Sequence, residues 1–201
     1  MAVLQYYFPK LIVIHHFIIT AYTRKMTSYV IGGGCFWCID AVFRRIRGVT
    51  SSETGYAGGE GPANYYRVTT GTTGYTEVVR VTFDETIIPA KTILDIFFLI
   101  HDPTSLNRQG ADVGTQYRSV MFYTDKAQKK MFEAAIQRAQ KIWQDPIVTE
   151  ISPLETFFVA EDEHQDYFNK NPEAGYCSIV IAPKITKARS TYTQWFQEEK
   201  A

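Results

Sequence analysis

Cys35 is the residue whose type and setting first invite chemistry. It follows the β-forming run Tyr29-Val30-Ile31 and the glycines Gly32, Gly33 and Gly34. After it come apolar residues at Phe36, Ile39, Val42, Phe43 and Ile46. That spacing predicts a strand, a glycine turn and a helix closed by Gly48. Cys35 then falls at a helix start, where N–H groups lack intrahelical partners and the macrodipole favours negative charge. A thiol so placed is expected to have a lowered pKa and to serve as a nucleophile. Without that setting a free cysteine is simply a small buried hydrophobe.

Cys38 completes a C-x-x-C with Cys35, and Cys177 stands far away in the sequence. Side chains three apart on a helix are neighbours, about 5–6 Å at Cβ, so this pair is close enough for a disulfide. A general thiol–disulfide oxidoreductase is the natural rival reading, although the Trp-Cys-Gly-Pro-Cys arrangement is missing. A zinc site would have to draw its ligands from the cysteines with His101 or His164, and there is no second C-x-x-C. The two histidines read more simply as helix-end or hydrogen-bonding residues. Glu77 is the candidate acid. Tyr75–Phe83 alternates with period two, so Glu77 shares a face with Tyr75, Val79, Val81 and Phe83. A carboxyl on such a face lies at the rim or is buried with a raised pKa.

The remaining elements have to position these groups. At 201 residues the chain suits one domain, able to bury roughly 70% of its unfolded surface. Lys plus Arg matches Asp plus Glu at 21 each, which argues against an electrostatic nucleic-acid or membrane-surface role. The three cysteines are too few for a disulfide scaffold and suit a reducing compartment. Residues 1–27 read as an extension outside the functional domain, with Leu11–Ile19 too short to span a membrane. Residues 28–201 read as one α+β domain.

Glycines and a proline across Gly48–Tyr66 predict β and turn character with no long regular element. Pro89–Ile100 reads as a mostly buried helix, and Tyr117–Tyr123 as a strand. Thr124 or Asp125 caps a long helix reaching about Trp143, with Ala127, Met131, Ala134, Ala135, the Arg138 stem and Ile142 on one apolar stripe. Short strands are expected at Ile147–Ile151 and Thr156–Val159, a short helix or turn over Glu161–Lys170, and a last strand over Tyr176–Ala182.

Several motifs in order resemble the A-class peptide methionine sulfoxide reductases. They are Gly34-Cys35-Phe36-Trp37, Gly55-Tyr56-Ala57-Gly58-Gly59, Asn64-Tyr65-Tyr66 and Gly74-Tyr75-Thr76-Glu77. There follow His101-Asp102-Pro103, Gly114-Thr115-Gln116-Tyr117-Arg118-Ser119, Ala160-Glu161-Asp162-Glu163-His164-Gln165 and Gly175-Tyr176-Cys177. The resemblance runs from about Tyr29 to about Lys184. It implies a two-layer α/β plait with a ferredoxin-like core and extensive coil. It also implies reduction of the S-epimer of free and protein-bound methionine sulfoxide, with no metal or organic cofactor.

On that resemblance Cys35 attacks the sulfoxide sulfur. Glu77 protonates the oxygen, aided by Tyr65 and Tyr117, because oxide leaves poorly until protonated. Phe36 and Trp37 hold the methyl group, and Asp112 is the supporting acid. The resulting sulfenic acid condenses with a second thiol, and thioredoxin reduces the disulfide. Cys177 matches the family's resolving cysteine, with Cys38 as the alternative. Cys38 stands where many members have glycine or another small residue, Asp40 where Glu is common and Tyr75 where His is common. The expected protein is a cytoplasmic monomer engaged in protein repair, binding neither nucleic acid nor membrane.

Overall fold

The computed structural model describes residues 24–198. Of the expected N-terminal extension, residues 1–23 lie outside the described residues. Strand β1 (Met26–Gly33) runs through the middle of a six-stranded sheet. It pairs antiparallel with β3 (Thr76–Asp84) on one side and β6 (Ser119–Tyr123) on the other. Beyond β3 lie β2 (Val49–Ala57) and β8 (Phe157–Val159), both antiparallel; beyond β6 lies β7 (Glu150–Pro153), the one parallel neighbour. A separate short hairpin joins β4 (Arg108–Gln109) to β5 (Asp112–Val113).

Period-two alternation decides which face carries the core. Tyr29, Ile31, Val79, Val81 and Phe83 point to one face. There they meet α1 (Phe36–Phe43), α3 (Ala90–Ile100), α4 (Lys126–Gln140) and α6 (Ala182–Thr191). Tyr29 lies edge-on to both Phe83 and Phe132 at 5.1 Å, contacts worth about 0.5–1.5 kcal/mol each beyond area burial. The opposite face carries a smaller cluster of Val30, Ala57, Val78, Val120 and Phe122, partly covered by Leu154 and Phe157. Two short helices, α2 (Tyr65–Val68) and α5 (Tyr167–Lys170), belong to the connecting coil.

Four local expectations are corrected. Residues 49–57 are a full strand, because pairing with β3 on one side and β8 on the other outweighs the glycine-rich composition. Gly55 does not break that strand. It lets β8 approach, since a Cβ there would lie 2.4 Å from the Phe157 ring and from the Phe158 carbonyl oxygen. The first helix ends at Phe43, well short of Gly48.

The buried stripe of α4 is Gln128, Phe132, Ala135 and Ala139, not the one containing Met131 and Ile142, which is 84% exposed. Gln128 is tolerated inside because its amide accepts from Thr124 N–H at 2.9 Å and donates to the Ser28 carbonyl at 3.0 Å. Finally, Cys177–Ile181 is a wide π-type turn leading into α6, not a strand. Helical spacing buries Cys177 and Ile181 together, and Pro183 in the first turn of α6 suits a helix start.

Candidate active site

The antiparallel ladders bring the chemical groups to one end of the sheet. β1 finishes at Gly33, which pairs with Ser119 at the start of β6, two residues after Tyr117. β3 begins beside it, so Glu77 lies next to the turn into α1, and a Cβ on Gly32 would meet the Glu77 carbonyl at 2.7 Å. Gly34 turns the chain with φ +91°, a conformation that favours glycine, and Gln109 packs directly on it. The β4–β5 hairpin that carries Gln109 thereby sets Asp112 across from Cys35. Below the turn, buried His101 is held neutral, its pKa pulled down to about 4 by burial. It donates from Nδ1 to the Phe97 carbonyl at 2.7 Å and accepts at Nε2 from Ser119 Oγ at 2.8 Å. His101 supports the turn and does not line the site.

Cys35, Phe36, Trp37, Tyr65, Glu77, Asp112, Tyr117 and Tyr176 together line one cavity of about 170 Å³. The thiol and the carboxyl thus share a hollow, as the acid-assisted chemistry requires. Cys38 and Cys177 do not line it; both are buried behind it, at 1% exposure.

The electrostatics correct one expectation and support another. Cys35 caps α1, yet the Phe36 N–H of that first turn is donated to Glu77 Oε2 at 3.1 Å, not to the sulfur. Burial and the neighbouring Cys38 push the Cys35 pKa up, not down. Without a bound ligand Cys35 is a thiol. Cys38 is the group shifted down, to about 7, by a hydrogen bond from Cys35 and by the Lys184 ammonium, against burial. Glu77 is 2% exposed, and burial raises its pKa to about 8; the single Phe36 N–H offsets this only partly. At neutral pH it is a carboxylic acid able to donate a proton.

The aromatic walls are fixed from behind. Trp37 stacks face to face on Tyr167 at 3.7 Å, and its Nε1–H is donated to His164 Nδ1 at 3.3 Å. His164 is buried against Phe36, and its ring centroid lies 4.3 Å from that of Tyr65. Glu161 accepts from the Tyr65 backbone N–H at 2.9 Å and from the Tyr56 hydroxyl at 2.8 Å, which anchors α2. Tyr176 donates to Asp112 Oδ2 at 2.7 Å and closes the cavity edge-on to Trp37. Sequence reasoning missed Tyr176 and gave His164 a bland role. Position next to Cys177 was the only signal for the first, and nothing local marked the second. Among the described residues no set of three His, Cys, Asp or Glu side chains converges as a metal site, and no helix is long and apolar enough to cross a membrane.

The comparisons with known proteins agree with this geometry. A family model described as peptide methionine sulfoxide reductase matches residues 27–196. The peptide methionine sulfoxide reductase MsrA of Pseudarthrobacter chlorophenolicus is 59% identical over 171 residues, covering 85% of this chain and 98% of the relative. Mxr1 from Saccharomyces cerevisiae in reduced form superposes with a TM-score of 0.71 at 36% identity, covering 76% of this chain and 90% of the other. The same yeast protein in complex with Trx2 gives a TM-score of 0.50 at 27% identity, covering 71% and 85%.

Proposed function

This chain belongs to the peptide methionine sulfoxide reductase family and reduces methionine sulfoxide to methionine, and on that premise we propose a role for each residue of the cavity. Cys35 attacks the sulfoxide sulfur while Glu77 delivers its proton to the oxygen. The observation that carries this reading is the cavity shared by a thiol and a buried acid with a pKa near 8. The Cys35 sulfur bonds to the sulfoxide sulfur as the Cys35 and Glu77 protons pass to the oxygen, which leaves as water. Water then adds to the Cys35 sulfur as the S–S bond breaks, so methionine departs with the electron pair, Glu77 regains its proton and Cys35 is left as a sulfenic acid.

Tyr65 and Tyr117 face the same cavity, and burial raises both hydroxyl pKa values, that of Tyr65 to about 12. They act as hydrogen-bond donors to the sulfoxide oxygen. Phe36 and Trp37 hold the S-methyl group by apolar and sulfur–aromatic contact, about 0.3–1.5 kcal/mol each. Their fixed walls select the S-epimer, in free or protein-bound form. Asp112 orients Tyr176 by its 2.7 Å hydrogen bond and supports the acid from across the cavity.

The sulfenic acid condenses with a second thiol, Cys177 or the alternative Cys38, and thioredoxin reduces the disulfide. The structure of the yeast relative with Trx2 supports that reductant. The enzyme is read as a cytoplasmic monomer, with residues 28–201 as its catalytic domain. The order β6-β1-β3-β2 with α1 and α3 on one face supports the ferredoxin-like plait. The test is consumption of methionine S-sulfoxide with the R-epimer left intact, and its loss in Cys35→Ser. Efficient reduction of insulin disulfides without sulfoxide turnover favours the general oxidoreductase instead, and consumption of both epimers would overturn the S-epimer selectivity.

A further inference from the structure

Tyr29 lies in the central strand β1 with no exposed surface, its ring edge-on to Phe83 and Phe132. Its hydroxyl reaches α4 and donates to Met131 Sδ at 3.8 Å. Among the described residues that sulfur is the only acceptor the hydroxyl has, and a thioether is a weak one. A buried hydroxyl is thus left short of hydrogen bonding, which costs stability. Met131 itself is 39% exposed, next in sequence to buried Phe132, so a small oxidant can reach the side chain. Met121 in β6 is fully buried. Neither methionine lines the substrate cavity.

We propose that Met131 is a modification site, a methionine placed so that its sulfoxide completes the hydrogen bonding of Tyr29. The oxidant is a hydroperoxide. A lone pair of the thioether attacks the outer peroxide oxygen, and the S–O bond forms as the O–O bond breaks. The departing oxygen takes the peroxide's proton and leaves as water or an alcohol; sulfur gives up two electrons and the peroxide takes them. Ordinarily this change sets a polar group among apolar neighbours and loosens the packing. At Met131 the new oxygen is a strong acceptor beside a hydroxyl that lacks one, and three rotatable bonds let it turn towards that donor. Helix α4 therefore keeps its hold on β1, which it also grips through Phe132 on Tyr29 and through the Gln128 amide on the Ser28 carbonyl. The site stands apart from the substrate cavity and does not depend on the reductase reading. Its effect is to keep the chain folded while an oxidant is present.

The experiment treats the full chain carrying Cys35→Ser, so that turnover cannot erase the product, with dilute hydrogen peroxide. Dithiothreitol then restores the remaining thiols. Peptide mapping by mass spectrometry should find a sulfoxide at Met131 while Met121 stays reduced. The urea midpoint of this protein should hold or rise on oxidation. With Tyr29→Phe added, the same oxidation should lower the midpoint by about 0.5 M. With Met131→Leu added, oxidation should leave the midpoint in place, which assigns the effect to this one sulfur. Met131→Gln offers an amide oxygen without any oxidant. It should be no less stable than Met131→Leu when Tyr29 is present, and less stable once Tyr29→Phe is added. Three results would overturn the proposal: Met131 resisting a peroxide dose that oxidises half-exposed Met26, a midpoint lowered equally with and without the Tyr29 hydroxyl, or a Met131→Gln variant indifferent to Tyr29→Phe.

Discussion

Glu77 on β3, facing the first turn of α1, and Asp40 within α1 are both carboxyls buried to within 2% of full burial, and they are held in opposite ways. Asp40 receives two hydrogen bonds from Arg44 Nε, at 2.9 and 2.8 Å, and one from Ser52 Oγ at 2.7 Å. Burial still raises its pKa, but a guanidinium and a hydroxyl are there to hold the charged form. Glu77 has one backbone N–H and no cation. Burial, helped by the charges of Asp112 and Cys38, therefore decides its state and keeps it protonated at neutral pH, with a pKa of about 8. Equal burial thus yields a structural ion pair in one place and an uncharged carboxylic acid in the other. What separates them is the presence of a partner charge.

The sharpest way to break this contrast is at Glu77. Glu77→Gln removes the transferable proton but keeps size and hydrogen bonding. The rate of the reductive step is expected to fall about 10²–10⁴-fold, with a much smaller change in KM. In the wild type the same step should decline as pH rises through about 8 and the acid form is lost. The stability sign runs the same way. A carboxyl whose pKa is raised on folding contributes fully below its unfolded value, and the contribution is lost as pH climbs through the folded one. Stability should therefore fall from about pH 4.5 to about 8, and Glu77→Gln should flatten that slope in urea titrations. An unchanged slope would mean the carboxyl is solvated.

Asp40→Asn should do the reverse. Removing the Asp40 charge leaves half-buried Arg44 with Asp166 as its remaining counter-charge and the Ser52 carbonyl as an acceptor, at a cost of about 1–3 kcal/mol, while the folded fraction keeps its kcat. Denaturant unfolding read beside activity separates the two effects. A loss of kcat without loss of stability would show that Asp40 reaches the chemistry after all.

Sequence reasoning could read one half of this contrast. Alternation along Tyr75–Phe83 placed Glu77 on the apolar face of a strand, and the glycine run placed Cys35 at a helix start. Both are local signals of period or turn chemistry. The resemblance then supplied Tyr65, Tyr117 and Asp112, which the cavity brings together. What failed was non-local. The helix start promised a lowered Cys35 pKa, but Glu77 takes the Phe36 N–H and burial prevails. The glycine-rich Val49–Ala57 segment became a strand because β3 and β8 complete its hydrogen bonds. His164 stands 127 residues from Trp37, and no pattern within either segment announces their hydrogen bond.

Ser52→Ala is the smallest and most discriminating change. It removes one donor to Asp40 Oδ1 and leaves the Arg44 bonds in place, so the cost should be about 1 kcal/mol. It acts only on the carboxylate form. The Asp40 pKa should therefore move further up, and the variant's deficit should shrink as pH falls and the wild-type carboxyl also protonates. The Glu77-dependent decline of rate near pH 8 should stay where it is, because Ser52 donates to the other carboxyl. Finding both profiles displaced together would mean that the two acids titrate as one system, and the contrast between them would dissolve.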